Sequence, residues 1–224
     1  MYAYMLKNLG TNETVTCQEH ECFCTASIVK VAVAMALFYE EKNGTFVLLK
    51  SDLQKIQKIQ KIQKMIIESD NDCTSYFWKK LGGETYMNTF FHGLGMNETS
   101  AGKNGYWGLT ETTARDQIHL LTYLVKENEY ITALQQQLLL SFMKEVKQDQ
   151  KWGYSSIKEG NIYVKNGWSP KEKNNWRINS LGIIEHENEV YIICVLSVGH
   201  ETYEKGVEGI ETCIKKIIHK KLSL

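Results

Sequence analysis

The chain has 224 residues, of which 43% are hydrophobic, and this is enough for one large domain or two closely packed lobes. Lysine and arginine together number 26, as do aspartate and glutamate, so the formal net charge is +0. This balance gives no electrostatic reason to expect nucleic acid or an anionic membrane as a partner. No apolar run is long enough for a membrane span.

The N-terminal residues and the cysteines leave the cellular compartment open. Residues 1–5 lack the basic and apolar regions of a secretory signal, so we expect either a cytoplasmic chain or one supplied without its leader. A chain of this length does not need a disulfide framework. His20, Cys22 and Cys24 alternate along a possible strand, which allows a metal site as an alternative. No second Cys/His pair completes four ligands, and the sequence therefore predicts neither a metal nor a cofactor.

The first half of the chain reads as a strand hairpin followed by helices. Residues 2–7 and 14–17 are predicted strands on either side of a polar turn. A helix is predicted from Ser27 to about Glu41, and the thrice-repeated Gln-Lys-Ile of residues 51–64 predicts another. A three-residue period drifts around a helix, so we expect a broad apolar face there. Further helices are predicted after a break at residues 69–71 and over Thr85–Leu94.

The second half of the chain changes from helices to strands. After a loop, Thr110-Glu-Thr-Thr113 is predicted to cap a helix, with Glu111 in its first turn, and another helix is predicted over about 130–147. Its expected apolar stripe consists of Leu134, Leu138, Phe142 and Val146. Three strands, over 162–164, 176–185 and 189–198, precede an amphipathic helix over 203–222.

Segregated strands and helices predict an α+β fold with one antiparallel sheet of about five strands. The first hairpin is expected to complete the sheet formed by the last three strands. We therefore expect one domain, with a sheet lobe (1–26 plus 158–224), a mostly helical lobe (27–157) and the site in the cleft between them.

The stretch around Ser27 carries the first candidate chemistry. In Ser27-x-x-Lys30 the two side chains lie three residues apart at the start of an apolar helix, and so share one face. A serine hydroxyl becomes a good nucleophile when a base takes its proton, and a buried lysine can be that base. The free N–H groups of a helix N-terminus suit a developing oxyanion. The alternative is an N-cap serine next to a surface lysine.

Three motifs in order make the chemical interpretation specific. Ser27-x-x-Lys30 is followed by Ser69-Asp70-Asn71 and by Lys165-Asn166-Gly167 on a predicted strand, and this set resembles the class A β-lactamases and penicillin-binding proteins. The stretches around residues 65–72, 81–83 and 110–116 also resemble this family. The resemblance covers roughly residues 20–210 and implies a β-lactamase-like fold.

The resemblance implies a catalytic role for four residues. Ser27 would be the acylated nucleophile and Lys30 its proton-transfer partner. Ser69 would relay a proton to the leaving nitrogen, and Lys165 would place positive charge near Ser69 and the substrate carboxylate.

The resemblance also places five residues at the substrate. Asn71 would hydrogen-bond the acylamide side chain, and the N–H group of Trp168, with that of the nucleophile, would form the oxyanion hole. Asn166 and Gly167 complete the third motif. Arg177 lies where the family often keeps a carboxylate-binding arginine, and the alternative for it is an ordinary surface residue.

Two departures from the family pattern affect the expected chemistry. Asn166 replaces the usual threonine or serine, although an amide can still donate to a carboxylate. Class A enzymes carry a Glu-x-x-Leu-Asn loop whose glutamate activates the deacylating water, and residues 95–110 contain no such motif. Glu98 and Glu111 are acidic but lie outside the pattern. The sequence therefore predicts acylation followed by slow deacylation.

These observations predict a serine hydrolase that acts on β-lactams or a related small-molecule or peptidoglycan-like amide. The alternatives are a D-alanyl-D-alanine peptidase or another peptide or ester hydrolase with the same machinery, and a non-catalytic penicillin-binding relic of the fold. The resemblance also implies an extracytoplasmic location.

Overall fold

The main sheet is antiparallel and has five strands in the order β2-β1-β7-β6-β5. The computed structural model describes residues 1–44, 52–157 and 159–222. The strands of the sheet are β1 (Tyr2–Asn8), β2 (Thr14–Cys17), β5 (Asn161–Glu172), β6 (Asn175–His186) and β7 (Glu189–His200). A second, two-stranded sheet pairs β3 (Phe23–Cys24) with β4 (Glu111–Thr112). The α+β fold and the pairing of the first hairpin with the last three strands are as the sequence predicts.

Seven α-helices surround or adjoin the sheet in the described part of the chain. They are α1 (Val29–Lys42), α2 (Asp52–Ile67), α3 (Asn71–Leu81), α4 (Gly83–Gly93), α5 (Ala114–Val125), α6 (Ala133–Lys144) and α7 (Tyr203–Leu222). The predicted Gln-Lys-Ile helix is α2, although residue 51 of that prediction lies outside the described residues. Ile56 is exposed and Ile62 is fully buried, as expected for a three-residue period that drifts around the helix. None of the described helices has the length and apolar composition needed to cross a membrane.

The core is centred on α1, where residues 29–38 are all buried. The run is uniformly apolar apart from Lys30, and a helix that is apolar all round belongs in a protein interior. Helix α1 packs against α3 and α4, while α5 packs on β1 and β7, and α7 packs on β6 and β7. Helix α1 therefore carries the Ser27 segment into the centre of the molecule.

Two details of the predicted helices are wrong. Glu111 lies in β4 and not in the first turn of a helix, because Thr113 is the N-cap of α5 and accepts from the Asp116 N–H group. Leu134 is 77% exposed, and the buried face of α6 contains Leu139 and Met143. The predicted stripe therefore overlapped only partly with the buried face of α6.

The division into two lobes stays a proposal that the element order supports. All strands of the five-stranded sheet lie within residues 2–17 and 161–200, and α1 to α6 lie within 29–144. Residues 158, 223 and 224, which belong to the proposed sheet lobe of 1–26 plus 158–224, lie outside the described residues.

Candidate active site

Ser27 lies in a single 3-10 turn, residues 26–28, that leads directly into α1. The residue before it, Ala26, has a φ of 47°, in the left-handed region that non-glycine residues seldom adopt. Backbone strain of this kind persists only where the surrounding structure enforces it, and it clusters at functional sites. The Thr25 N–H group donates to the Thr110 carbonyl over 2.8 Å, which holds one end of this segment.

A buried asparagine, which sequence reasoning missed, holds the same segment from the sheet. Asn179 Nδ2 donates to the carbonyl oxygens of Cys24 and Thr25 at 2.8 and 3.0 Å, and its Oδ1 accepts from the Ser197 N–H group. This amide therefore links β6 to the backbone directly before Ser27. A lone asparagine within a strand gives no sequence signal for such a role.

Gly167 allows strand β5 to approach the Ser27 turn closely. A Cβ atom at this position would lie 2.7 Å from the Ser27 nitrogen and 2.8 Å from the Ile28 nitrogen. Both neighbours are backbone atoms, so neither can move aside as a flexible side chain would. The third motif thus needs glycine here for steric reasons.

Lys30 is fully buried on α1, and its amine points at the second motif. Lys30 Nζ donates to the Ser69 carbonyl at 2.6 Å and to Asn71 Oδ1 at 2.7 Å, and lies 3.1 Å from Ser69 Oγ. Burial lowers the pKa of Lys30 to about 7, because the charged form loses its hydration. The described residues include no hydrogen bond between this amine and the Ser27 hydroxyl, a contact that often tightens only when substrate is bound.

Ser69 occupies the break between α2 and α3 with a φ of 55°. Lys165, which is fully buried on β5, donates to Ser69 Oγ at 2.9 Å and to the Asn166 carbonyl at 2.9 Å. Burial, and secondarily the charge of Lys30, holds the pKa of Lys165 well below its ordinary value. The structure thus brings the predicted residues Lys30, Ser69 and Lys165 together in one hydrogen-bonded chain.

Asp70 and Asn71 complete the second motif with different functions. Asp70 is the N-cap of α3: its carboxylate accepts from the Cys73 N–H group at 2.7 Å and pairs with Lys64 at 2.9 Å. These contacts lower the pKa of Asp70 to about 2, with the backbone N–H group as the main cause. Asn71 Oδ1 accepts a hydrogen bond from Lys30, and Asn71 lines the cavity. Its Nδ2 group is therefore the donor available to a substrate.

A cavity of about 450 Å³ opens in front of Ser27. It is lined by Ala26, Ser27, Asn71, Ser75, Gly105, Tyr106, Trp107, Gly108, Leu109, Trp168 and Ser169. No charged residue is among these lining residues, and the two lysines lie buried behind them. Trp168 lies on the edge strand β5, where alternate backbone groups are not used by pairing with β6.

Trp107 is a second residue that sequence reasoning missed. Its ring centroid lies 4.7 Å from Lys30 Nζ, and its Nε1 donates to Ser75 Oγ at 3.0 Å. The loop that contains it was predicted only as a connection. Its contact with Lys30 depends on the folded path of the chain and has no motif.

Asn166 makes hydrogen bonds that the third motif did not predict. Its Nδ2 group donates to the carbonyl oxygens of Gln150 and Trp152 at 3.0 and 2.9 Å, and the residue is fully buried. Both amide protons are therefore used by the 150–152 loop. We propose that Asn166 braces this loop and does not contact substrate, in contrast to the expectation from the motif.

Arg177 lies half-buried on β6, opposite Ser169 of β5. Burial raises the pKa of the Cys24 thiol, and the charge of Arg177 opposes this effect. Arg177 is not among the residues that line the cavity, so its role as a carboxylate ligand remains a prediction.

The two acids near the expected loop are engaged elsewhere. The Glu98 carboxylate lies 2.8 Å from His20 Nδ1 and accepts a hydrogen bond from Thr113 Oγ1 at 3.1 Å. Glu111 is exposed on β4 opposite Cys24. Neither acid lines the cavity. Among the described residues, no group of three or more His, Cys, Asp or Glu side chains could hold a metal ion.

Known structures share this architecture. The chain is similar to a β-lactamase from Chitinophaga pinensis DSM 2588 with a TM-score of 0.84 and 18% identity, over 98% of this chain and 93% of that one. It is similar to a variant of PBP-A in an acyl-enzyme complex with penicillin G, with a TM-score of 0.84 and 18% identity, over 100% and 91% of the two chains. A class A β-lactamase from Mycobacterium abscessus has a TM-score of 0.81 and 18% identity, over 98% and 93%. At these identities the likeness shows the fold.

A comparison with curated protein sequences gave no significant match. The profile of the beta-lactamase enzyme family, in contrast, matches residues 2–220, which is nearly the whole chain. This match, which agrees with the hydrogen-bonded chain of Lys30, Ser69 and Lys165, shows that the protein belongs to the β-lactamase enzyme family.

Proposed function

We propose that this protein is a serine hydrolase that forms an acyl-enzyme at Ser27 with β-lactams or a related amide and deacylates slowly. The observation that carries the proposal is the Ser69 hydroxyl, which lies between the amines of Lys30 and Lys165 beside the cavity that contains Ser27. A structural serine–lysine pair would not require two buried amines at one hydroxyl.

Acylation begins with removal of the Ser27 proton. The neutral amine of Lys30 takes this proton while Ser27 Oγ attacks the substrate carbonyl carbon, and the carbonyl electron pair moves to the oxygen. The backbone N–H groups of Ser27 and Trp168 are the proposed donors to that oxyanion. The strained turn at Ala26 and the amide of Asn179 support this step because they fix the backbone around Ser27.

Departure of the leaving group requires a proton on its nitrogen. As the tetrahedral intermediate collapses and the carbon–nitrogen bond breaks, Ser69 gives its proton to that nitrogen and receives one from Lys30. The 3.1 Å separation of Lys30 Nζ and Ser69 Oγ supports a direct transfer. Lys165, at 2.9 Å from the same oxygen, stabilises negative charge on it during the transfer.

Slow deacylation follows from the lining of the cavity. Water must lose a proton as it attacks the ester, and a positioned base contributes about 10²–10⁴-fold to such a step. The residues that line the cavity include no carboxylate. Lys30 is the candidate base for this step, and it is fully buried with the Trp107 ring 4.7 Å from its amine, which limits the access of water.

The second candidate is a D-alanyl-D-alanine peptidase or another peptide or ester hydrolase with the same machinery. The similarity to a PBP-A variant, whose structure is an acyl-enzyme complex with penicillin G, supports acylation by the shared machinery and leaves this candidate open. A non-catalytic relic is the third candidate, and the intact hydrogen-bonded chain around Ser69 argues against it.

Labelling with a fluorescent penicillin, followed by peptide mapping, tests the proposal. We expect one label, on Ser27, and no label in Ser27→Ala. Ser141→Ala is the matched control, because Ser141 is an exposed serine on α6 whose hydroxyl donates to the Leu138 carbonyl, and it should label as the unmodified protein does. A label on another residue, or none at all, would contradict the proposal.

A further inference from the structure

Trp107 lies on the cavity side of Lys30 and is held there from a second element. Its ring centroid is 4.7 Å from Lys30 Nζ, well within the range of a cation–π contact. Its Nε1 donates to Ser75 Oγ on α3, which fixes the orientation of the ring. The ring is therefore a positioned neighbour of the amine and not a side chain that covers it by chance.

The groups that hydrogen-bond to Lys30 supply three acceptors but no negative charge. The oxygens that it contacts, on Ser69 and Asn71, are neutral. The carboxylate that acts on it electrostatically, Asp70, is already engaged by Lys64 and by the backbone of α3.

Two further groups act on the Lys30 amine, one by its charge and one through the Ser69 hydroxyl. The Cys73 thiol on α3 has its pKa raised to about 11, mainly by burial, so it is neutral near pH 7. Lys165 on β5 shares the Ser69 hydroxyl and would repel a charged Lys30. The face of the Trp107 ring carries partial negative charge and lies 4.7 Å from Lys30 Nζ. It can therefore attract the ammonium form of Lys30.

We propose that Trp107 is a positioning residue for Lys30, whose ring stabilises the ammonium that forms when Lys30 takes the Ser27 proton. This inference rests on the proposed function, since it assigns Trp107 a part in the acylation step. The proton passes from Ser27 Oγ to Lys30 Nζ, and no other bond changes at the ring. The ring makes Lys30 a stronger base than burial alone would leave it.

Replacing the ring should change the pH dependence of acylation in a defined direction. Without the ring the ammonium is less stable, so Lys30 loses its proton at a lower pH. We expect the midpoint of the acid limb to fall by about one pH unit in Trp107→Leu, since a desolvated cation–π contact corresponds to a shift of that order. Trp107→Phe keeps a ring face and should recover at least half of the shift.

A matched control separates this effect from a general loss of the loop. Tyr106→Leu changes the adjacent aromatic residue, which is 67% exposed and has no ring contact with Lys30. The acylation rate of Tyr106→Leu can differ from that of the unmodified protein, but the midpoint of its acid limb should stay the same. An equal shift in Tyr106→Leu and Trp107→Leu would overturn the proposal, because both substitutions would then act through the loop and not through the ring.

Fluorinated tryptophan tests the same contact with almost no change in shape. Successive fluorine atoms weaken the negative face of the ring, so the midpoint should fall stepwise from tryptophan to singly and doubly fluorinated analogues. This measurement stays informative if Trp107→Leu fails to fold. A midpoint independent of fluorination would overturn the proposal.

Direct titration of Lys30 separates this inference from the proposed function. Lysine labelled with ¹³C at Cε, assigned by comparison with Lys30→Arg, reports protonation by NMR without any substrate. A lower midpoint in Trp107→Leu supports the ring contact even if penicillin fails to label the protein, in which case only the proposed function fails. An unchanged midpoint overturns the inference whether or not Ser27 is acylated.

Discussion

The amines of Lys30 and Lys165 meet at one hydroxyl, with Nζ to Ser69 Oγ distances of 3.1 and 2.9 Å. Both lysines are fully buried, and two ammonium groups around one neutral oxygen would repel each other. With Lys30 neutral, the Ser69 hydroxyl can donate a hydrogen bond to that amine while it accepts a hydrogen bond from Lys165. Lys30, Ser69 and Lys165 thus form a proton relay, and Lys30 acts as the base when its amine is unprotonated.

The acylation rate should rise with pH and level off slightly above neutrality. Lys30 must be unprotonated to take the Ser27 proton, and its pKa is lowered to about 7. Below that pH the rate should fall about tenfold per unit, because the unprotonated fraction falls by that factor. A rate that still climbs tenfold per unit between pH 8 and pH 9 would mean that Lys30 keeps its ordinary pKa. Stopped-flow acylation by a chromogenic cephalosporin measures the profile.

Lys30→Arg should lower the acylation rate by about 10²–10⁴-fold, the usual contribution of a positioned base. The guanidinium keeps the charge but does not deprotonate in proteins, so it cannot accept the Ser27 proton. Lys165→Met should also slow acylation, since it removes the hydrogen-bond donor at Ser69 Oγ. Lys103→Met alters an exposed loop lysine and is the control. Acylation of Lys30→Arg at the unmodified rate would refute the assignment of the base.

Gly167→Ala should lower both the acylation rate and the free energy of unfolding. The added Cβ would lie 2.7 Å from the Ser27 nitrogen, so strand and turn must separate. Overpacking of this kind costs about 1–3 kcal/mol. Gly108→Ala is the matched control for stability, since its Cβ would meet its nearest neighbour at an ordinary 3.8 Å. Equal melting temperatures for the two variants would show that β5 does not need this close approach.

Asn166→Thr, which restores the residue usual in the family, should destabilise the protein. A threonine hydroxyl can donate to only one of the carbonyl oxygens of Gln150 and Trp152, and the other loses its partner. An unsatisfied buried acceptor costs about 1–3 kcal/mol. Urea unfolding measures this cost, and Asn166→Asp, which has the same shape but no donor, should cost at least as much. An increase in stability for either variant would contradict the bracing role.

The sequence was most informative where chemistry depends on short spacing. Ser27 and Lys30 share one turn, and the break at Ser69 follows from residues that favour turns, so motif and local structure agree. The pairing of the first hairpin with the last strands followed from hydrophobic alternation and from the need to complete one sheet.

The parts that the sequence did not reveal depend on contacts between distant segments. Asn179 reaches the Cys24 and Thr25 carbonyls over about 155 positions of sequence, and Trp107 reaches Lys30 only through the path of its loop. Asn166 was predicted as a substrate ligand because the motif defines its position along the strand. Its partners lie in the 150–152 loop, whose path the motif does not specify.

The account depends most on how long the acyl-enzyme at Ser27 survives. Mixing the protein with a small excess of penicillin, quenching at intervals and recording intact mass follows both formation and loss of the adduct. Because no carboxylate lines the cavity, we predict rapid gain of one penicillin mass and an adduct that persists as the dominant species after free penicillin is removed. Complete turnover of a large excess of penicillin, with no adduct detectable at any time, would contradict the account, and Glu98→Gln would then test whether that acid is the deacylating base.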